Sequence, residues 1–348
     1  MSSEEIKSIL LIRLSAIGDI IMASGVLPAL KSKYPDARID WLVQPECRDL
    51  LSATSRINEV IVWQRKEWVK MLKQGKLVDF CSELLGLARK LRSRDYDLVI
   101  DMQGLWKSGI WAFLSSAGYR IGLGSREGSS LLMDEVISLD RSDASIASEY
   151  KLLLKEMGIE NNNYGLGIEV SPEDDAVAGN KLSTQLGDSA YIVVCPFTTR
   201  AQKHWPQERW VELIQDLQGS YKMPVALLGG PGDMQAAERL QRSCPGLINC
   251  AGTTSLRQSL AMILNSSLVI GVDTGLTHVG SLSSVPTVAL FGSTCPYLEN
   301  GNPGLEVIYK QFSCSPCRRK PTCTDFPCMR AIQVEDVLER IKHLQVAD

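Results

Sequence analysis

The chain lacks the features that announce several large classes of protein. It carries no excess of positive charge. Its 37 Lys and Arg stand against 40 Asp and Glu, for a net charge of −3, so any recognition of anions must be local and nucleic acid is not an expected partner. It has no charge-free apolar run of about 20 residues, the length a membrane-spanning helix needs. The nearest approach, residues 9–30, contains Arg13 and Asp19 and is interrupted by Gly18, Gly25 and Pro28; it reads as a buried strand, a turn and a helix. The apolar stretch after Lys7 ends too soon, at Arg13, for a secretory signal, which leads us to expect a cytoplasmic protein. No Arg-rich tail and no strongly basic amphipathic helix stands out. The absence of G-x-G-x-x-G argues against a dinucleotide-dependent dehydrogenase, and that of G-x-x-x-x-G-K-[ST] against a P-loop ATPase.

What is present is ordinary globular composition: 348 residues, 45% hydrophobic and 22% charged, enough for two domains. Short β-type runs at Ser8 to Arg13, Arg38 to Val43, Glu59 to Trp63 and Asp97 to Asp101 alternate with helix-type segments. Phe80 to Arg94 is one of these, with Leu84, Leu87, Ala88 and Leu91 on one face. The second half repeats the alternation through strands at 191–195, 224–228, 268–272 and 287–291, with helices at 207–218, 233–242 and 256–264. Such alternation predicts an α/β protein with parallel sheets and helices on both faces. The polar stretch 160–185 reads as a linker. This gives an amino-terminal domain over 1–170, a second over 171–330, and a packing helix over 331–348.

Two loops promise chemistry. Gly271 to His278 (GVDTGLTH) follows an apolar run and opens a helix. Asp273, Thr274 and Gly275 therefore lie where unpaired first-turn N–H groups and the helix dipole favour an anion. Pro196 to Pro206 (PFTTRAQKHWP) follows another strand and offers Thr198, Thr199 and Lys203. Two phosphate-type loops in one half of the chain suggest a diphosphate-bearing ligand. Near the amino terminus, Asp19 stands just after a strand in Arg13 to Ile21 (RLSAIGDII), either satisfying backbone donors at a helix start or serving as a proton acceptor. Gly18 beside it lets the backbone turn and a ligand approach. Four of the ten cysteines cluster as Cys314, Cys317, Cys323 and Cys328. Their spacing is tight for a zinc ribbon, and reduced thiols are the expected state, so no metal and no cofactor is assigned.

Taken in order, Arg13 to Ile21, Asp101-x-Gln103-Gly104, Thr198-Thr199 with Lys203 to Pro206, and Gly271 to His278 resemble the ADP-heptose:lipopolysaccharide heptosyltransferases of glycosyltransferase family 9. The resemblance implies a GT-B fold, two Rossmann-like domains whose parallel sheets face a central cleft. It also implies metal-independent, inverting transfer from ADP-L-glycero-D-manno-heptose to the Kdo-bearing inner core on lipid A. Asp19 then resembles the general base. Thr198, Thr199 and Lys203 resemble the diphosphate contacts, with Lys203 offsetting charge on the leaving ADP. Thr274 and Gly275 lie under the diphosphate, and Asp273 accepts from sugar hydroxyls. Asp233 falls near the ribose or else caps a helix, and His278 either lines the donor site or is a packed, hydrogen-bonded histidine. The polyanionic acceptor calls for local cations, for which Arg65, Lys66, Lys107 and Arg126 are candidates beside Gln103 and Gly18. Trp68 and Trp106 are core or cleft aromatics.

Thr198 to Pro206 and Ser125-Arg126-Glu127 look like the branch that acts on Kdo, and the Cys314-Ser315-Pro316-Cys317 run like the branch that acts on heptose. The Kdo reading leads. Another family 9 sugar or acceptor, a nucleotide-sugar epimerase working on the donor alone, and a nucleotide-sugar-binding protein stand as alternatives. A lipid-borne acceptor also implies peripheral, acceptor-driven contact with the inner membrane.

Overall fold

The computed structural model describes residues 6–139, 145–160, 164–186, 189–294, 296–298, 301–317 and 320–344. They divide into two compact α/β units: Met1–Asp143 with Ala147–Glu169, and Ala144–Ile146 with Val170–Asp348. The first unit runs β1 (Ser8–Ile12), α1 (Ile17–Ser24), α2 (Val26–Lys33), β2 (Arg38–Val43), α3 (Pro45–Leu51), β3 (Glu59–Val62), α4 (Arg65–Lys73), α5 (Leu77–Arg92), β4 (Leu98–Asp101), α6 (Trp106–Leu114), β5 (Tyr119–Leu123), β6 (Glu135–Ile137) and α7 (Ser148–Glu156). The second runs α8 (Pro172–Leu186), β7 (Ile192–Cys195), α9 (Gln207–Ser220), β8 (Val225–Leu227), α10 (Met234–Ser243), β9 (Ile248–Asn249), α11 (Leu256–Leu264), β10 (Leu268–Val272), α12 (Gly275–Leu282), β11 (Thr287–Phe291), β12 (Leu305–Tyr309), α13 (Pro327–Arg330) and α14 (Val334–His343).

Each unit is one all-parallel six-stranded sheet. The orders are β3-β2-β1-β4-β5-β6 and β12-β11-β10-β7-β8-β9. Within each unit this is the same doubly wound arrangement, with the strand order reversing between β1 and β4 and again between β7 and β10. The central strands are buried along their whole length, β1 (SILLI) and β10 (LVIGV) among them. A strand covered by helices on both faces needs a continuous apolar run, because neither face meets water.

The core of the first unit is aromatic beneath α4 and α5. Trp63, Trp68 and Trp111 meet edge to face with ring centroids 5.5–6.1 Å apart, and Phe80 joins at 6.0 Å from Trp68. Trp68 thus belongs to the core, while Trp106 is exposed. In the second unit, Trp205 and Trp210 stack edge to face at 5.0 Å, and the Trp205 indole donates to the Ile332 carbonyl at 3.0 Å. That bond ties the end of the Pro196 to Pro206 loop to the segment leading into α14. Val334, Val337 and Ile341 of α14 are buried in the same core.

The stretch 160–185 is not a simple linker. Its second half forms α8, which packs on α11. Asp174 pairs with Arg257 at 2.8 Å, and Asp175 accepts from Asn265 at 2.7 Å. The polar run Ser171-Pro172-Glu173-Asp174 is a helix start: the Asp174 N–H donates to the Ser171 hydroxyl at 3.1 Å, and acids fill the first turn. Among the described residues no helix is long and apolar enough to cross a membrane.

Trp111 is 2% exposed at the centre of the aromatic cluster. Trp111→Ala should destabilise the first unit by about 3–5 kcal/mol. Urea unfolding followed by fluorescence would show this, and a loss below about 1 kcal/mol would mean that the cluster does not anchor α4 and α5.

Candidate active site

Every candidate in the first unit follows the carboxyl end of a strand, the edge at which open parallel sheets bind ligands. Asp19 follows β1 and Gln103 follows β4, so the two flank the point where the strand order reverses. Arg65 and Lys66 follow β3, and Lys107 and Arg126 follow β4 and β5.

Asp19 is the third residue of α1, with its side chain 49% exposed. Its Oδ2 accepts from the Ala16 N–H at 3.0 Å and pairs with Arg13 Nη2 at 3.0 Å. Both of these contacts fall on one oxygen of the carboxylate. Arg13 is buried. Its other guanidinium nitrogen donates to the Met102 carbonyl, and its plane lies 5.9 Å from the Tyr150 ring. Tyr150, far along the chain on α7, donates to the Asp19 carbonyl at 3.3 Å. Gly18 has ordinary helical backbone inside α1, so it does not make the turn; it contributes only the absence of a side chain.

The Gln103 side-chain carbonyl Oε1 accepts from the Leu14 and Ser15 N–H groups at 3.1 and 3.3 Å and so shapes the Asp19 loop. Asp101, at the end of β4, organises the neighbouring loop. It accepts from the Gln103 and Gly104 N–H groups at 2.9 and 3.2 Å and from the Ser108 hydroxyl at 2.8 Å. Burial pushes its carboxyl up to about 6, against the pull of these donors and of Arg13. The Arg126 N–H donates to the Gly104 carbonyl at 2.8 Å, joining the loops after β4 and β5, while its side chain is exposed. Lys66 is paired with Glu46 at the surface. Arg65 is exposed, and Lys107 is half-buried.

In the second unit the Lys203 loop follows β7 and the Asp273 loop follows β10, again flanking the reversal of strand order. Asp273 is the hub. Its carboxylate receives Lys203 Nζ at 2.5 Å, His278 Nε2 at 3.2 Å and the Thr294 hydroxyl. Burial pushes the Asp273 carboxyl up, but the His278 hydrogen bond and the His278 and Lys203 charges outweigh it and hold the group well below the usual carboxylate range. Both carboxylate oxygens are engaged by protein partners within this cluster. His278 is buried and hydrogen-bonded, with Tyr297 edge-on at 5.8 Å, yet it sits inside this cluster.

Thr274 takes the N-cap position of α12 without a side-chain capping bond, leaving first-turn donors open. Close packing fixes the helix there. A Cβ on Gly271 would lie 2.1 Å from Thr277 Oγ1 and 2.9 Å from Cys195 Cβ. Thr198 is half-buried and Thr199 exposed at the mouth of the other loop. Asp233 accepts from the Gly230 N–H at 2.8 Å, so it shapes its own turn ahead of α10. Desolvation and then the neighbouring Cys323 thiol raise the Cys314 thiol above its ordinary value. Among the described residues no group of three or more His, Cys, Asp or Glu side chains is placed to hold a metal ion.

Both the sequence and the fold find counterparts among known proteins. Residues 84–325 match Glycosyltransferase family 9 (heptosyltransferase). The chain belongs to glycosyltransferase family 9. It is 28% identical to lipopolysaccharide heptosyltransferase 1 of Pseudomonas aeruginosa, over 92% of this chain and 88% of that one. It is 27% identical to lipopolysaccharide heptosyltransferase 2 of Escherichia coli, over 83% of each. The solved structure of E. coli heptosyltransferase WaaC with ADP-2-deoxy-2-fluoro heptose superposes with a TM-score of 0.73 at 23% identity, covering 96% of this chain and 99% of that one. The fold is accordingly GT-B, with two Rossmann-like α/β units.

Four residues of these clusters carried no assigned role in the sequence reading: Arg13, Asp101, Tyr150 and Thr294. Arg13 and Asp101 lie within the quoted motifs, and a charge closing a fully apolar strand is a readable signal. Tyr150 and Thr294 reach their partners through tertiary structure alone.

The Asp101 carboxyl titrates near 6 in the folded chain and near 3.9 unfolded. The native state then holds the extra proton between these values, so this group's contribution to stability falls as pH rises from about 4 to 6. Asp101→Asn keeps an acceptor for both N–H groups and removes the charge. The variant's stability relative to the parent should rise across that window and level off above it. Urea midpoints across the window test this, and a pH-independent difference would contradict it.

Proposed function

We propose that this family 9 chain is a metal-independent, inverting heptosyltransferase of lipopolysaccharide core assembly. It transfers L-glycero-D-manno-heptose from ADP-heptose to a Kdo residue of the lipid A-linked inner core, at the cytoplasmic face of the inner membrane. The observation that carries this reading is the Asp19 carboxylate, half exposed at the strand-order reversal, with Oδ2 held by Arg13 and the Ala16 N–H. A general base needs a fixed orientation and an accessible oxygen, and Asp19 has both. The acceptor hydroxyl gives its proton to Oδ1 as its oxygen bonds to the anomeric carbon. The bond from that carbon to the diphosphate breaks on the opposite face, ADP leaves with the electron pair, and the configuration inverts.

The donor groups lie in the second unit. Lys203, already positioned by Asp273, supplies positive charge for the diphosphate, and the open first turn of α12 supplies N–H donors. Such a preorganised cation and dipole stabilise the leaving group without reorganisation. Thr198, Thr199, Gly275 and, through Asp273, His278 complete the donor site. Asp233 lies where the ribose is expected. Arg65, Lys66, Lys107 and Arg126 are the cations for the Kdo carboxylates. The bound analogue in the E. coli WaaC structure supports ADP-heptose as donor. A second acceptor, heptose already on the core, rests on the near-equal identity to heptosyltransferase 2.

Transfer from ADP-heptose should occur in chelator, onto Kdo2-lipid A and not onto its monoheptosylated form. Product from the heptosylated acceptor alone would reassign the step, and no product with ADP still bound would reject transfer. Asp19→Asn should lower kcat by about 10²–10⁴ while leaving ADP affinity unchanged; retained turnover would remove Asp19 as base. Lys203→Met should instead weaken ADP binding roughly 10–100-fold, measured by calorimetry beside a thermal melt that reports folding.

A further inference from the structure

The helical hairpin α4–α5 turns an apolar, basic face to solvent. Of the twelve large apolar side chains exposed among the described residues, five fall here: Val69, Leu72, Leu77, Val78 and Leu85, with Val78 at 82%. The inward side of each helix is spent on the core, through Trp68 in α4 and Leu84, Leu87 and Leu91 in α5. Val78 and Leu85, seven residues apart, form a separate outward stripe on α5, with Val69, Leu72 and Leu77 exposed at the margin of the core side. Leu77, Val78, Cys81, Ser82, Leu85 and Arg89 line an open groove of about 480 Å³ along it.

Charge follows the same stripe. Residues 65–92 hold eight Lys and Arg against three Asp and Glu, a local +5 in a chain of −3. At about 100° per residue, Arg89 and Arg92 fall on the Val78–Leu85 side of α5, and Asp79 and Glu83 lie more than about 90° away. On α4, Arg65 and Lys73 flank Val69 and Leu72 in the same way, with Glu67 turned aside. Lys70 and Lys90 pair with acids of the protein surface, at 3.9 Å from Glu67 and 2.5 Å from Glu59.

We propose that the outer face of α4–α5 docks on an anionic phospholipid surface. Its aliphatic side chains enter the headgroup boundary and its cations meet lipid phosphates. Aliphatic residues rimmed by Lys and Arg are what such a boundary binds. A second copy of the chain fits poorly, because a two-fold contact sets this face against itself and brings like charges together. The inference rests on the reading above only in that the lipid-borne acceptor explains why the chain needs such a surface. Arg65 and Lys66, among the acceptor candidates, open the same hairpin.

The test is flotation of the full chain with vesicles of phosphatidylcholine alone or mixed with phosphatidylglycerol, without donor or acceptor. Binding should need phosphatidylglycerol, weaken with salt, and fall roughly ten-fold or more in a Val78→Asp/Leu85→Asp variant. Leu131→Asp, at an exposed leucine elsewhere on the unit, should bind as the parent does. Transfer to an acceptor stripped of acyl chains should be unchanged in Val78→Asp/Leu85→Asp, and transfer to vesicle-borne acceptor should drop. Binding to phosphatidylglycerol vesicles unaffected by the paired aspartates would overturn the proposal while leaving the transferase reading intact. So would an oligomer that those substitutions dissociate. Loss of vesicle binding in a chain that transfers no heptose at all would sustain the docking face and remove the transferase reading instead.

Discussion

A parallel strand whose two neighbours are reached by crossovers running in opposite directions leaves a gap at its carboxyl end, because the two connecting loops diverge there. Each sheet of this chain has one such place, beside β1 in the first unit and beside β7 in the second. The residues that carry chemistry follow from it. Asp19 and the Gln103 loop occupy one gap, and Lys203 and Asp273 occupy the other. Nothing in a helix or a strand taken singly would bring such pairs together across 70 or 90 residues of sequence.

Within each gap a buried charge sets the geometry. Arg13 is a cation with little solvent, and it keeps Asp19, the Met102 carbonyl and the Tyr150 ring about it. Asp273 is an anion with little solvent, and it keeps Lys203, His278 and the Thr294 hydroxyl. Desolvation makes each ion costly alone, so each is held against groups of opposite charge or polarity. The two are opposite in sign: a buried cation stands behind the Asp19 carboxylate, and a buried anion stands behind the Lys203 ammonium. Asp101 is the exception, a carboxyl that burial has pushed toward neutrality, and it serves the loop rather than the reaction.

Much of this was legible from residues alone. Arg38–Val43, Leu256–Leu264, Leu268–Val272 and Thr287–Phe291 have the ends that the sequence pattern predicts, because each is an apolar run or periodic stretch closed by turn-forming or polar residues. β6 and β9 are three and two residues long and exist only through pairing with β5 and β8, so no local pattern marks them. Phe80 to Arg94 reads as a helix with one apolar face, but the outer face of α4–α5 goes unremarked because Val69, Leu72, Val78 and Leu85 stand among polar residues. Once Trp68 and Leu84 are assigned to the core, the remaining leucines and valines have no inward role. Asp19 and Lys203 stand out as candidates by motif, but the contacts of Asp19 Oδ2 with Arg13 and the Ala16 N–H, and of Lys203 with Asp273, needed the fold.

The helix α8 alters where the chain can be divided. It begins at Pro172, three residues past the end of the first unit, and its side chains are bonded to α11 and its cap through Asp174 and Asp175. A fragment begun at the first strand of the second sheet would strip this cover from α11 and strand the Arg257 guanidinium without its acid. A protease given the intact chain has correspondingly little slack to cut: the second half of the stretch that looks most like open tether in the sequence is wound into a helix, and among the described residues only 164–171 precede it without helix or strand.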